Sequence, residues 1–148
     1  MAIIEKKLEE FGILLALPGK PDAPILFAKQ ADNLLYISGH GSRMKGKVGE
    51  NLTVEDGYAA AREAAIRCIA TMKKYLGDLD RVKNIIKVFG MVNSAPDFTQ
   101  QPAVINGASE LLIAVFGTDA GYHARSAVGM ASLPNGIAVE VEMIVEVA

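Results

Sequence analysis

One cysteine in 148 residues leaves the chain no internal disulfide, and Cys68 itself falls inside an apolar helical pattern, which suits a reducing compartment. Tryptophan is absent and aromatic residues make up 6%, which offers no base-stacking platform. Neither sign of charge dominates. The 15 basic and 17 acidic side chains give a formal −2, without the overall basic footprint of a nucleic-acid binder, although this count leaves a local basic patch open. Long apolar runs are missing too, since the uncharged stretches contain Gly, Asn, Gln or Pro. Met1–Leu17 carries Glu5, Lys6, Lys7, Glu9 and Glu10 where a secretory leader needs an apolar core. The chain is therefore expected to stay off the membrane and in the cytoplasm. No G-x-G-x-x-G, Walker loop, C-x-x-C, H-E-x-x-H or G-x-S-x-G occurs. With only His40 and His123 beside one cysteine, no metal site is expected.

What is present is a globular composition. Hydrophobic residues at 51% and charged residues at 22% exclude a disordered chain, and the length fits a single domain over 1–148, with 1–17 an N-terminal helical extension. Ile3, Ile4, Leu8 and Phe11 predict a short amphipathic helix that ends at Gly12. Prolines 18, 21 and 24 predict a loop, and Leu34–Ser38 a strand after the Asp32-Asn33 turn. Gly39 through Gly49 reads as flexible. Thr53 is a plausible N-cap, and Ala61, Ala65, Cys68, Met72, Tyr75 and Leu76 form the stripe of a long helix stopped by Gly77. Its alanines allow close approach to the layer beneath. Ile85–Val92 predicts a mostly buried strand, and Gln101–Phe116 a second long helix closed by Gly117.

The last third predicts two strands, Arg125–Leu133 and Ile137–Ala148, joined as an antiparallel hairpin around Asn135-Gly136, the pair best suited to a type I′ turn. In a two-residue loop Arg125 faces Glu146, Gly129 faces Glu142 and Ala131 faces Glu140. One face then carries Val128, Met130, Val139, Val141, Met143, Val145 and Val147, and must lie against helices. The other carries Arg125, Ala127, Gly129, Ala131, Glu140, Glu142, Ile144 and Glu146, a lining suited to a cleft or a wet subunit interface. The element order predicts an α+β sandwich with helices on one side of the sheet.

Several residues have more than one reading. Ser38-Gly39-His40-Gly41 is either a tight turn or a place where a ligand approaches exposed backbone N–H groups, with His40 either a proton carrier or a surface residue. Arg125 is a surface charge, a partner of Glu146, or a receptor for a substrate carboxylate through its two parallel donors. Glu140, expected on the same face, can orient and deprotonate water, whereas Glu142 and Glu146 suit a solvated face. Cys68 reads as core.

The blocks Asn33-Leu-Leu-Tyr-Ile-Ser38-Gly39, Lys45-Gly46-Lys47-Val48-Gly49, Asn106, Arg125-Ser-Ala-Val, Leu133-Pro134 and Val139-Glu140-Val-Glu142 keep one order over Asp32–Ala148. Together they resemble the Rid family (YjgF, also called endoribonuclease L-PSP), in its longer branch of about 150 residues. The resemblance implies a chorismate-mutase-like α+β fold, with a mixed, mainly antiparallel sheet and two long helices on one face, assembled as a homotrimer with clefts between subunits. It also implies a deaminase that hydrolyses reactive 2-imino acids of the 2-aminoacrylate class to 2-oxo acids and ammonia. Arg125 matches the residue that holds the substrate carboxylate and Glu140 the acid that positions water. Gly39 and Ala127 match backbone contacts, and Ser38 and Asn106 match pocket residues. No cofactor is needed, because an imine carbon is already electrophilic. The family's deaminases place a tyrosine before the first motif, where this chain reads Pro24-Ile25-Leu26-Phe27-Ala28, and His40 replaces their usual glutamine. A carboxylate-binding protein without turnover, an endoribonuclease acting as a translation inhibitor, and a structural or chaperone-like trimer are the competing classes.

Overall fold

The computed structural model describes residues 3–148. Its centre is α2 (Val54–Leu76), opened by a reciprocal capping box. The Thr53 hydroxyl accepts the Asp56 N–H at 3.1 Å, and the Asp56 carboxylate accepts the Thr53 N–H at 2.9 Å. Ala61, Ala65, Cys68, Met72 and Leu76 are buried, as the stripe predicts, and Ala60 and Ala64 are buried beside them, but Tyr75 turns outward and is 48% exposed. Gly77 ends the helix at φ +78°, and its N–H bonds the Lys73 carbonyl. The second long helix, α3 (Gln101–Gly121), breaks at Gly117 as predicted, then resumes for one further turn. It is apolar and long enough to cross a bilayer by composition, yet its apolar residues pack on α2 and the sheet. The short α1 (Ile3–Glu10) docks at the far end of α2, where Glu5 accepts from Lys73 Nζ at 3.1 Å and the Leu79 N–H at 2.9 Å.

Five strands follow in the spatial order β1 (Ala28–Ala31), β2 (Leu34–Gly41), β5 (Val139–Val147), β3 (Val82–Asn93) and β4 (Ala124–Met130). β1 was not evident in the sequence. It pairs with β2 across Asp32, whose φ of +52° makes the tight turn. Helices α2 and α3 cover one face of this sheet, and the other face is open.

The predicted hairpin is corrected by the sheet. β4 pairs in parallel with β3, and β5 inserts antiparallel between β2 and β3, so β4 and β5 straddle β3 without touching. Asn135 and Gly136 do take positive φ, +59° and +70°, but inside a single 3-10 turn, Pro134–Gly136. Two strand spacings, roughly 9–10 Å, are too wide for a two-residue turn. The chain instead steps over the end of β3, where the Asn93 N–H bonds Ala138 O at 2.9 Å and the Ser94 N–H bonds Met130 O at 3.2 Å. Gly39–Gly49 is likewise not loose. Ser42, Gly46 and Val48 donate their N–H groups to Val139, Gly136 and Asn93, so the end of β3 and the entry into β5 both hold this stretch.

The new topology changes one face assignment. On β5 the expected alternation stands, with Val139, Val141, Met143, Val145 and Val147 buried under the helices. On β4 it is inverted. Arg125 lies beside buried Val88, Ala127 beside Gly90 and Gly129 beside Val92, all on the helix side, whereas Val128 is on the open face and 36% exposed. Arg125 and Glu140, expected on one face, therefore occupy opposite faces.

Helices α2 and α3 approach closely at Gly107, where a Cβ would overlap the Tyr58 carbonyl oxygen. Alanine at a helix position ordinarily stabilises by up to about 1 kcal/mol over glycine. Gly107→Ala is expected to do the reverse and cost about 1–3 kcal/mol in urea unfolding at fixed protomer concentration. A gain in stability would contradict this helix contact.

Candidate active site

The sequence-predicted residues fall into two groups, each built by different elements. The first lies at a bulge in β2, where the register against β5 shifts between Ile37 and His40. Ser38 is fixed through backbone and side chain alike: its N–H bonds Phe27 O at 2.9 Å and its hydroxyl donates to Leu26 O at 2.6 Å. His40 is neither a surface residue nor a free proton carrier. It is 6% exposed, with Nδ1 2.5 Å from Ser38 O and Nε2 2.7 Å from Thr71 Oγ1. A carbonyl only accepts, so Nδ1 bears the proton and Nε2 receives the Thr71 hydroxyl. Burial pushes the imidazole pKa below its ordinary value, which keeps the ring neutral. By gripping the Ser38 carbonyl, the ring also turns the Gly39 N–H of the same planar peptide the other way.

Glu140, on β5, lies over Gly39, and a Cβ there would overlap its Oε2. Glycine at 39 is what leaves room for this carboxylate. Desolvation, and then the nearby Glu142 charge, raise the Glu140 pKa above the ordinary carboxylate value. At Ser38 a cleft of about 610 Å³ opens on the bare face of the sheet, lined also by Leu26, Lys29, Tyr36 and Glu142 among others.

The second group lies where β4 meets α3. Arg125 Nη1 donates to Asn106 Oδ1 at 2.8 Å and to Ser109 Oγ at 3.2 Å. Asn106 and Ser109 sit three residues apart on α3, a spacing that puts both on one helix face. Arg125 does not pair with Glu146, which instead accepts from Asn84 at 2.7 Å and Asn33 at 3.3 Å. Among the described residues the ion pairs are Arg43–Glu63 and Lys73–Glu5, so the Arg125 guanidinium meets neutral acceptors only. Ala127 follows two residues on, half-buried beside Gly90. Ser109 and His123 complete this group, and nothing in the sequence marks either as part of a site.

The structure thus brings Gly39 together with Glu140, and Asn106 with Arg125, but within one protomer it does not bring the two groups together. A carboxylate cluster elsewhere, Glu5, Asp78 and Asp80, is spent on backbone N–H groups. Glu5 accepts from Leu79, Asp78 from Asp80, and Asp80 from Ile3 and Ile4.

Comparison with known proteins narrows the reading. Residues 28–147 match the family model described as YjgF/chorismate mutase-like, putative endoribonuclease. Protein TCP17 of Trypanosoma cruzi is 43% identical over 149 residues, covering 97% of this chain and 93% of that protein. The crystal structure of Atu1372 from Agrobacterium tumefaciens, a protein of unknown function, superimposes with a TM-score of 0.90 at 40% identity, over 99% of this chain and 93% of that one. RidA from the Antarctic bacterium Psychrobacter is 26% identical with a TM-score of 0.58, over 88% of this chain and 94% of that one.

The raised Glu140 pKa has a sign that can be measured. A carboxyl favoured in its protonated form by the fold opposes folding once ionised, so its stabilising contribution is present below the unfolded value near 4.5 and is lost as pH rises through the folded value. Glu140→Gln is therefore expected to raise the urea midpoint at pH 7, with the gain vanishing by pH 4. An equal effect at both pH values would show that the carboxyl is not destabilised where it sits.

Proposed function

Because the chain belongs to the YjgF/chorismate mutase-like family, with that fold, we propose that it hydrolyses 2-imino acids of the 2-aminoacrylate class in a cleft completed by a second copy of itself. The observation that carries this reading is Arg125: a half-buried guanidinium, held by two neutral acceptors and without a carboxylate partner among the described residues, is a receptor for an anionic ligand. Glu140 supplies the complementary property. Burial and the Glu142 charge raise its pKa, and a carboxylate with a raised pKa is a stronger base than an exposed one.

Assembly supports the reading from another side. The open face of the sheet carries Tyr36, Ile86 and Val128, each at least 36% exposed, together with the Glu140 side of the site. The other half sits at β4, whose outer edge has no strand beside it. A homotrimer that seats the β4–α3 corner of one copy against the β2–β5 face of the next would unite the halves. The same packing would cover the apolar residues of the open face.

In that cleft, Arg125, held by Asn106, grips the substrate carboxylate, while Ser38 and the Gly39 and Ala127 backbones line the pocket. Glu140 takes a proton from water as the oxygen adds to the C=N carbon. Glu140 returns that proton to the nitrogen to complete the carbinolamine, whose hydroxyl proton then passes through Glu140 to the amino group as the C–N bond breaks, ammonia leaves and the C=O forms. Orientation and general-base assistance are the sources of rate, and no cofactor enters the balance. A buried Cys68 thiol fits a reducing, cytoplasmic setting.

One feature favours a second reading, carboxylate binding without turnover. Phe27 packs its ring against His40 at 5.3 Å and offers no hydroxyl to the site. Ribonuclease chemistry has less support, since both histidines have their ring nitrogens bonded within the chain and the net charge is −2.

The two readings separate when 2-aminoacrylate is generated beside the purified protein and the release of ammonia and pyruvate is timed. Wild type is expected to accelerate release over buffer. Arg125→Ala should lose roughly 10–100-fold in kcat/KM through the lost charged hydrogen bonds, and Glu140→Gln roughly 10²–10⁴-fold in kcat. Pyruvate binding by calorimetry with no acceleration would leave only the binding reading.

A further inference from the structure

Arg125 does not hold its place through Asn106 alone. His123 lies in the two-residue link between α3 and β4, with Nδ1 2.7 Å from the Gly121 carbonyl and Nε2 2.9 Å from Ser109 Oγ. Because a carbonyl can only accept, Nδ1 carries the proton, and a neutral ring then presents Nε2 as an acceptor. The Ser109 hydroxyl must donate to it. That leaves the Ser109 lone pairs for Arg125 Nη1, at 3.2 Å, alongside Asn106 Oδ1 on the same nitrogen at 2.8 Å. Every bond in this chain has one donor and one acceptor, and Ser109, 8% exposed, has little water to substitute for either.

We propose that His123 is a positioning residue for Arg125: its tautomer fixes which way the Ser109 hydroxyl points, and so holds the guanidinium oriented for the substrate carboxylate. The functional part of this inference rests on the imine-hydrolysis reading of the site, whereas the structural part rests on the hydrogen bonds alone. Burial and then the Arg125 charge lower the imidazole pKa, which keeps the ring in the required neutral state. Without the ring, a serine inside a helix turns its hydroxyl toward a carbonyl one turn back, and its lone pairs leave the guanidinium. Glutamine at 123 restores an acceptor within reach of Ser109, whereas leucine fills space without one.

Three variants, His123→Leu, His123→Gln and Ser109→Ala, are compared with wild type in two measurements. The first needs no substrate: nitrogen-15 NMR of the Arg125 side chain reads how fast the guanidinium rotates. Rotation is expected to quicken roughly tenfold in His123→Leu and Ser109→Ala, consistent with one lost hydrogen bond to a charged group, and to stay near wild type in His123→Gln. The second is KM against kcat for 2-aminoacrylate generated in place. A grip on the carboxylate is felt equally in the ground and transition states, so KM should rise roughly three- to tenfold in His123→Leu and Ser109→Ala with kcat held within about twofold. Unchanged rotation in His123→Leu overturns the proposal, as does a glutamine variant impaired as much as leucine. Should His123→Leu not fold, Ser109→Ala breaks the same link. Absence of turnover in wild type would sink the deaminase reading, and the rotation measurement would still decide the role of His123.

Discussion

A strand paired along both edges keeps its two neighbours apart, and β3 imposes that constraint on everything downstream of α3. The chain leaves β4 on one side of β3 and must reach β5 on the other. The only route is over the end of the strand, through Ala131–Ala138, pinned there by bonds to Asn93, Ser94 and Met44. This crossing sets the geometry of the candidate site. It puts Arg125 at a corner of the helical layer, and it puts Glu140 on the bare side of the sheet two strands away.

The two halves also differ in electrostatic character. Arg125 is surrounded by neutral acceptors, the Asn106 amide and the Ser109 hydroxyl, which orient a positive charge without cancelling it. Glu140 is pressed by burial and by Glu142 toward its protonated form. Each half is therefore in a state that a complementary partner would relieve, the cation by an anion and the carboxylate by a water or amine that can share its proton. The histidines serve this arrangement from behind, neutral and internally bonded, His40 against the Ser38 carbonyl and His123 against Ser109.

Much of the fold was legible in the residues. The Thr53 cap, the alanine stripe of α2, the glycine stops and the alternation of Val139–Val147 are local patterns with local physical causes, and the helices and β5 follow from them. The crossing over β3 was not legible and was read as a hairpin, because Asn135-Gly136 reports that the chain reverses but carries no information on what lies between the reversed strands. β4 misled for a related reason: Arg125-Ser126-Ala127-Val128-Gly129 has too little hydrophobic contrast to tell its faces apart, so its assignment followed the assumed register. Position-by-position resemblance pointed to Arg125, Asn106, Gly39 and Glu140. It could not point to Ser109 or His123, since a polar residue on a helix and a histidine in a link look like solvated positions until their partners are seen.

The space above Gly39 belongs to the Glu140 carboxylate, so the two positions form one steric unit although they lie a hundred residues apart in the chain. A side chain at 39 has to push that carboxylate aside, which the flexible end of a glutamate allows, and the acid then loses its seat over the backbone. Substitution at 39 is thereby felt first at 140, and it is the bare glycine that lets the acid rest where it does.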